Sequence, residues 1–333
     1  MRHGQSNSRI GAVVIGRNEG ERLVSCLTSL KSKLDDVVYV DSGSTDKSIQ
    51  NAANLAVQVV TLDLSIPFTA ARARNEGARE LLNINPDLTY IQFVDGDCEV
   101  QNNWLTEAEV FLDSHNEYAV VCGRRRERFP HNSIFNTLCD IEWATSIGEA
   151  LSCGGDSLIR VTAFKEIDGF TSALIAGEEP EMCFRLRMKD WKIYRLNTEM
   201  TLHDAAMTRI NQWWKRAERA GYAYANGFDL HGKSAEKFKK KEVVSIIFWA
   251  MVLPILLLTM SIQLPLLLGL FMVYPAQILK VSIQDTRRFN RVYGHSFIYA
   301  FSSVMAKFPQ SFGIVKFYKN KLKGQQGSII EYK

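Results

Sequence analysis

Several common signatures are missing from this 333-residue chain, and each absence narrows its reading. None of its six cysteines (26, 98, 122, 139, 153 and 183) stands in a Cys-x-x-Cys pair. The spacing excludes a recognisable disulfide framework or zinc motif and implies reduced, mostly buried thiols. Strong charge of either sign is also missing. A net charge of +4 gives no argument for nucleic acid as a partner. Met1 to Arg9 holds no apolar run, so no signal peptide is expected there. Long apolar runs are absent from residues 1–232, which read as a soluble globular region with a core of its own.

What is present is an alternation. Apolar runs at Ile10–Ile15, Val37–Val40, Val57–Leu62 and Tyr90–Val94 predict strands. Helical patterns lie between them, through Leu30, after Asp46, and over Ala70–Leu82. Short buried strands separated by helices predict an α/β fold with a mostly parallel, Rossmann-like sheet. In such sheets ligands bind at the carboxyl ends of the strands. Three polar clusters fall there: Arg17-Asn18-Glu19, Asp41-Ser42-Gly43-Ser44-Thr45-Asp46 and Asp95-Gly96-Asp97.

The last cluster carries the most chemistry. Two carboxylates two residues apart on an extended segment point to one side, and Gly96 permits a turn. A close carboxylate pair suits a hard cation such as Mg²⁺ or Mn²⁺, which commonly holds nucleotide phosphates. Asp-Gly is also an ordinary turn dipeptide, so the pair gains meaning only from its companions.

From Lys233 the character changes. A lysine-rich stretch leads into apolar helices expected at about 243–260 and 264–279, with Pro254, Pro265 and Pro275 inside or beside them. Lys and Arg flank the outer ends and the link carries none, which predicts a membrane hairpin with both ends cytoplasmic. Residues 295–318 predict an interfacial amphipathic segment broken near Pro309. The basic tail from Lys319 could meet anionic headgroups. The expected organisation is a polar tail (1–8), a catalytic domain (9–232) and a membrane-attachment region (233–333).

These motifs, in this order, resemble family 2 glycosyltransferases of the GT-A fold, over about residues 9–216. The likeness is closest to membrane-attached bacterial-type members that make surface polysaccharides or glycolipids. It implies an inverting transfer of sugar from a UDP- or GDP-linked donor to a lipid-linked or saccharide acceptor. The expected setting is the cytoplasmic face of the cell membrane, among membrane lipids, with a divalent cation as cofactor. By resemblance, Glu19 and Asp41 meet the nucleoside, Arg74 of Arg74-Asn75-Glu76-Gly77 meets phosphate, Asp95 contacts donor ribose or sugar, and Asp97 holds the metal. His203 is implied as a further metal or diphosphate contact.

Gly177-Glu178-Glu179-Pro180-Glu181 resembles the family's catalytic acid pair, with glutamate at Glu179 where aspartate is usual. An inverting transfer needs a carboxylate to take the acceptor's hydroxyl proton. Glu179 is the expected base and Glu178 the alternative. Gly154, Gly155 and Asp156 fall at the acceptor-side glycine loop. Gln212-Trp213-Trp214-Lys215-Arg216 resembles, in altered order, an element of processive synthases. There Trp213 or Trp214 would stack on a sugar and Arg216 would meet phosphate. Arg124-Arg125-Arg126-Glu127-Arg128 reads as a solvated strand end, with binding of a lipid-linked acceptor's pyrophosphate as the alternative. Two other classes fit parts of the pattern: a nucleotidyltransferase on an α/β sheet, and a non-catalytic membrane scaffold on a degenerate transferase domain.

Overall fold

The structure, a computed structural model, describes residues 9–325 and 327. The expected polar tail 1–8 and the end of the basic tail lie outside the described residues. The chain divides into two compact units, residues 1–128 with 143–205, and residues 129–142 with 206–333.

The first unit is built on one sheet. Its strands are β1 (Ile10–Gly16), β2 (Val37–Asp41), β3 (Gln58–Thr61), β4 (Tyr90–Asp95), β5 (Cys98–Val100), β6 (Tyr118–Glu127), β7 (Gly148–Glu149), β8 (Ser157–Arg160) and β9 (Lys192–His203). Its helices are α1 (Glu21–Lys31), α2 (Ser48–Asn54), α3 (Ala70–Ile84), α4 (Trp104–Ser114), α6 (Val161–Glu166) and α7 (Glu178–Arg187). Between them, α5 (Ile134–Trp143) falls almost wholly in the second unit.

The predicted strands are all present, and β1 and β2 are buried along nearly their whole length. Continuous apolar runs of this kind belong in a sheet covered on both faces. The sheet order is β3-β2-β1-β4-β8-β6-β9-β5, with β7 on β9. Only the half β3-β2-β1-β4 and the β6–β9 pair are parallel; β8 pairs antiparallel with both β4 and β6, and β5 and β7 antiparallel with β9. The expectation of a mostly parallel sheet is therefore corrected to a mixed one. The reversed strands β5, β7 and β8 are two to four residues long, too short to leave a period.

One glycine sets how closely α3 sits on the sheet. A Cβ at Gly77 would lie 2.4 Å from Val13 Cγ1 and 2.8 Å from Val40 Cγ2. The bare glycine lets the helix approach β1 and β2 and carries Arg74, one turn earlier, to the strand ends. Thr69 caps α3, its hydroxyl accepting from the Arg72 N–H at 3.0 Å.

The second unit is helical. Besides α5 it holds α8 (Ile210–His231), α9 (Lys240–Ile247), α10 (Leu253–Gln263), α11 (Val273–Phe289), α12 (Tyr293–Met305) and α13 (Lys307–Leu322). A π-helical turn, Phe248–Val252, joins α9 to α10, so Lys240–Ile262 forms a continuous apolar helix of 23 residues. It is long and apolar enough to cross a membrane, and only 17% of its most apolar window is buried in the protein. The second expected apolar helix, 264–279, does not form as one element. Leu264 leaves the helical region before Pro265, a 3₁₀ stretch runs over Pro265–Met272, and α11 continues past the apolar segment to Phe289. Residues preceding proline avoid the helical conformation, which accounts for the break. Among the described residues, one candidate spanning helix stands where a hairpin of two was expected.

The segment 295–318 is likewise two helices, parted at Ala306 and not at Pro309, which is accommodated in the first turn of α13. α13 packs on α8 with no side chain between them at two points. A Cβ at Gly221 would lie 1.9 Å from the Gln310 carbonyl oxygen, and one at Gly313 2.0 Å from that of Glu218.

Candidate active site

The loops after β1 and β2 interlock at the carboxyl ends of their strands. The Asn18 N–H donates to Ser44 Oγ at 2.9 Å, and Asn18 Oδ1 accepts from the Thr45 N–H at 2.7 Å. Asp46 accepts from the Gly20 N–H at 3.0 Å and from the Ser48 N–H, at the start of α2, at 2.9 Å. Asp46 thus satisfies an N–H at the start of α2, while Ser44 bonds across to the neighbouring loop. Asp41 is fully buried. Its carboxylate accepts from the Tyr39 hydroxyl and from the Gly43 and Ser44 N–H groups, each at 2.9 Å. Burial, then the adjacent Asp41 charge, pushes the Tyr39 hydroxyl well up from its ordinary value, so it stays a donor. Asp41 shapes its own loop with both oxygens. Glu19 pairs with Arg22 at 2.8 Å, and its Cγ lies against Gly16 and Gly96 at the ends of β1 and β4.

β4 ends at Asp95 in a buried network of charges. Arg74, 3% exposed, donates to Asp95 Oδ1 and to Glu178 Oε1, both at 2.7 Å. Arg125 lies 2.8 Å from Asp156 Oδ2 and 3.5 Å from Asp95 Oδ2. Burial alone would lower both guanidinium pKa values. The surrounding carboxylates outweigh it and hold both above the usual range. Asp156 is fully buried; its Oδ1 accepts from the Asp95 N–H at 3.0 Å and its Oδ2 from the Thr201 hydroxyl at 2.7 Å. The residue pins the end of β4. Gly155 presses on the same network, since a Cβ there would lie 2.7 Å from Asp95 Oδ2.

Arg125 was hidden in the sequence as part of a charge run. The structure puts it inside, its guanidinium 5.5 Å from the Trp143 ring. On a strand, alternate residues share a face. Arg125 and Glu127 face inward, while Arg126 and Arg128 pair with Glu199 and Glu99. That alternation was the available signal. Register shifts in the β6–β9 pairing between Cys122 and Arg125 mark a bulge of the kind that re-aims side chains beside a site.

Asp97 and His203 form the next group. His203 Nε2 is 3.3 Å from Asp97 Oδ2, and both residues are buried. His203 Nδ1 has no hydrogen-bond partner and lies 3.9 Å from Glu127 Oε2. The Trp143 ring meets the imidazole edge-on at 4.7 Å. Asp97 Oδ2 beside His203 Nε2 fits a divalent cation such as Mn²⁺, with the Cys98 thiol in the same group and Glu127 behind the histidine on its Nδ1 side.

Glu179 adjoins the network through Glu178. Its Oε1 accepts from the Cys153 N–H at 2.6 Å and from the Cys183 thiol at 3.1 Å. Next to Cys153, Gly154 adopts φ +87°, where glycine is favoured, and a Cβ there would meet nothing within 4 Å. The structure thus joins Glu19, Arg74, Asp95, Asp97, Gly155, Asp156, Glu178, Glu179 and His203 into adjacent groups of the first unit. Trp213, Trp214 and Arg216 belong to the second unit and find partners there. Trp213 Nε1 donates to Ser302 Oγ at 3.0 Å, Arg216 pairs with Glu142 at 2.7 Å, and Trp214 lies 5.9 Å from the Phe312 ring. Trp213 and Arg216 also line a cavity of about 370 Å³ in that unit. Gln212 caps α8, accepting from the Thr208 and Arg209 N–H groups.

Comparison with known proteins bears on the fold. Residues 12–167 match the profile of the family described as Glycosyl transferase family 2. An uncharacterized glycosyltransferase of Rickettsia felis is 30% identical over 109 residues, 33% of this chain and 36% of that protein. A Rickettsia conorii counterpart gives the same identity and coverage. The matched part thus spans about a third of the length of these relatives. Among solved structures, a mannosyltransferase from Pyrobaculum calidifontis in complex with GDP-Man and Mn²⁺ shares the fold. Its TM-score is 0.63 at 16% identity, over 94% of this chain and 88% of that one. Residues 12–167 therefore match a family 2 glycosyltransferase domain, and the chain shares the GT-A fold.

Proposed function

We propose that the protein is a metal-dependent, inverting glycosyltransferase that moves a sugar from a UDP- or GDP-linked donor to a lipid-linked or saccharide acceptor. The reading is carried by Arg74, whose guanidinium ties Asp95 at the end of β4 to Glu178 at the start of α7. Through this tie the donor-side carboxylates and the candidate base Glu179 border one site. Asp97 and His203 would hold the cation, Mg²⁺ or Mn²⁺, which when bound neutralises charge on a departing diphosphate. The GT-A neighbour solved with GDP-Man and Mn²⁺ accords with this.

The base assignment follows from the charge of the partners. Glu178 is tied to the Arg74 guanidinium, whereas the partners of Glu179 among the described residues are neutral, the Cys153 N–H and the Cys183 thiol. Glu179 Oε2 takes the acceptor's hydroxyl proton as that oxygen attacks the anomeric carbon. The bond from that carbon to the diphosphate breaks, the nucleoside diphosphate leaves, and the configuration inverts. The Cys153 N–H holds the carboxylate in place.

The exposure of apolar side chains along Lys240–Ile262 supports attachment to the membrane, where a lipid-linked acceptor would lie. Ile255, Leu256, Leu258 and Ile262 are all more than half exposed, at 61, 51, 54 and 82%. The cytoplasmic membrane face and a role in surface polysaccharide or glycolipid synthesis complete the proposal.

Glu179→Gln tests it. Transfer from a panel of nucleotide-sugars should fall about 10²–10⁴-fold. Donor binding, followed by thermal shift with Mn²⁺, should stay unchanged. Full activity in this variant refutes the base assignment.

A further inference from the structure

Beside the candidate base lie two thiols that the transfer does not use. Cys153 precedes the Gly154-Gly155 turn, and Cys183 follows Glu179 by four residues on α7, hence on the same helix face. Cys153 Sγ and Cys183 Sγ are 3.6 Å apart, and Cys183 Sγ is 3.1 Å from Glu179 Oε1. All three ligand atoms lie within 4.8 Å of one another.

The sulfur separation is informative. A disulfide requires about 2.05 Å. Two thiolates on a tetrahedral zinc, each at about 2.3 Å, stand about 3.8 Å apart. The observed 3.6 Å, spanned by a thiol–thiol hydrogen bond, is far from the first value and would need little change to reach the second. The donor set, two sulfurs and one carboxylate oxygen, is that of a borderline-soft ion and richer in sulfur than the group of Asp97, Cys98 and His203. Next to Cys153 the chain is open on one side, since a Cβ at Gly154 would meet nothing within 4 Å.

We propose that Cys153, Cys183 and Glu179 form a second cation site, selective for a thiophilic ion of the zinc class, whose occupation switches transfer off. The ion binds both sulfurs and Glu179 Oε1, and the two thiol protons pass to solvent. Glu179 then holds a cation and no longer accepts the acceptor's proton. This second half rests on the assignment of Glu179 as base; the site itself does not. Burial pushes both thiols above their ordinary value, so without the ion they stay protonated and are alkylated slowly.

The test uses the full chain in detergent with Mg²⁺ present, titrated with Co²⁺ as a spectroscopic substitute for Zn²⁺. A thiolate-to-cobalt charge-transfer band should saturate at one equivalent. It should vanish in Cys153→Ser and Cys183→Ser and persist in Cys98→Ser, which removes the thiol next to Asp97. No band, or a band lost only with Cys98→Ser, overturns the site. Should a serine variant fail to fold, wild-type protein still decides. Zn²⁺ should protect Cys153 and Cys183 from alkylation, read by peptide mass, and equal labelling with and without Zn²⁺ overturns the site. In the activity arm, Zn²⁺ with saturating Mg²⁺ should lower wild-type transfer about a hundredfold. A cobalt band without inhibition upholds the site and overturns the role of Glu179 as base.

Discussion

Asp156→Ala is the sharpest probe of the charge network. The carboxylate is fully buried and has three partners: the Asp95 N–H, the Thr201 hydroxyl and Arg125. Removing one partner of a buried ion pair costs about 3–5 kcal/mol, because the other charge stays desolvated. Two effects adjust that figure. Arg125 keeps Asp95 at 3.5 Å, which softens the loss. The Asp95 N–H is left without its acceptor, a penalty of about 1–3 kcal/mol where water cannot reach it. About 3–5 kcal/mol remains the expected net cost. For a unit of this size each kcal/mol shifts melting by about 2–4 °C, so the melting temperature should fall by about 6–20 °C. Thermal unfolding of the full chain in detergent, followed by fluorescence, measures it. A fall below about 2 °C would refute the reasoning, since it would mean that the carboxylate is solvated and its partners are paired elsewhere.

Other substitutions separate packing from chemistry. Gly77→Ala drives a methyl into Val13 and Val40; overpacking of about 1–3 kcal/mol exceeds the gain of up to about 1 kcal/mol in helix propensity, so chemical unfolding should show net destabilisation. Gly155→Ala meets only the ends of Asp95, Arg74 and Arg125 side chains, so melting should hold within a few degrees while nucleotide-sugar affinity and transfer drop. Asp97→Ala should abolish transfer together with Mn²⁺-dependent thermal stabilisation, and retention of both would remove Asp97 from the cation site. Carbonate-washed membranes should keep the wild-type protein, whereas Leu256→Lys with Leu258→Lys should ease its release. Wild-type protein in the soluble fraction without detergent would end the membrane reading.

The first half of the fold was legible because its strands are continuous apolar runs and its motifs stand at their ends. Arg74-Asn75-Glu76-Gly77 shows how such a motif is divided. Arg74 bridges two acids, Asn75 bonds the Phe170 backbone in both directions, and Gly77 admits the helix to the sheet. The inward turn of Arg125 was not legible from charge, since its aim depends on a bulge and on the pairing of β6 with a strand some seventy residues later. Cys153 and Cys183 escaped for a similar reason. Thirty residues separate them, and only the packing of α7 against the Gly154 turn makes them neighbours. The second apolar helix was overread, because composition measured its hydropathy and missed the break that Pro265 imposes.

The contact of Gly221 and Gly313 has a consequence for the azimuth of the last helix. Backbone touches backbone at both points, so α13 can neither roll about its own axis nor slide by a residue without a clash. The outward stripe of α13, including Phe312 and Val315, is therefore keyed to its position on α8. A methyl group at either glycine would act as a wedge, re-aiming the stripe as a whole with its own residues unchanged.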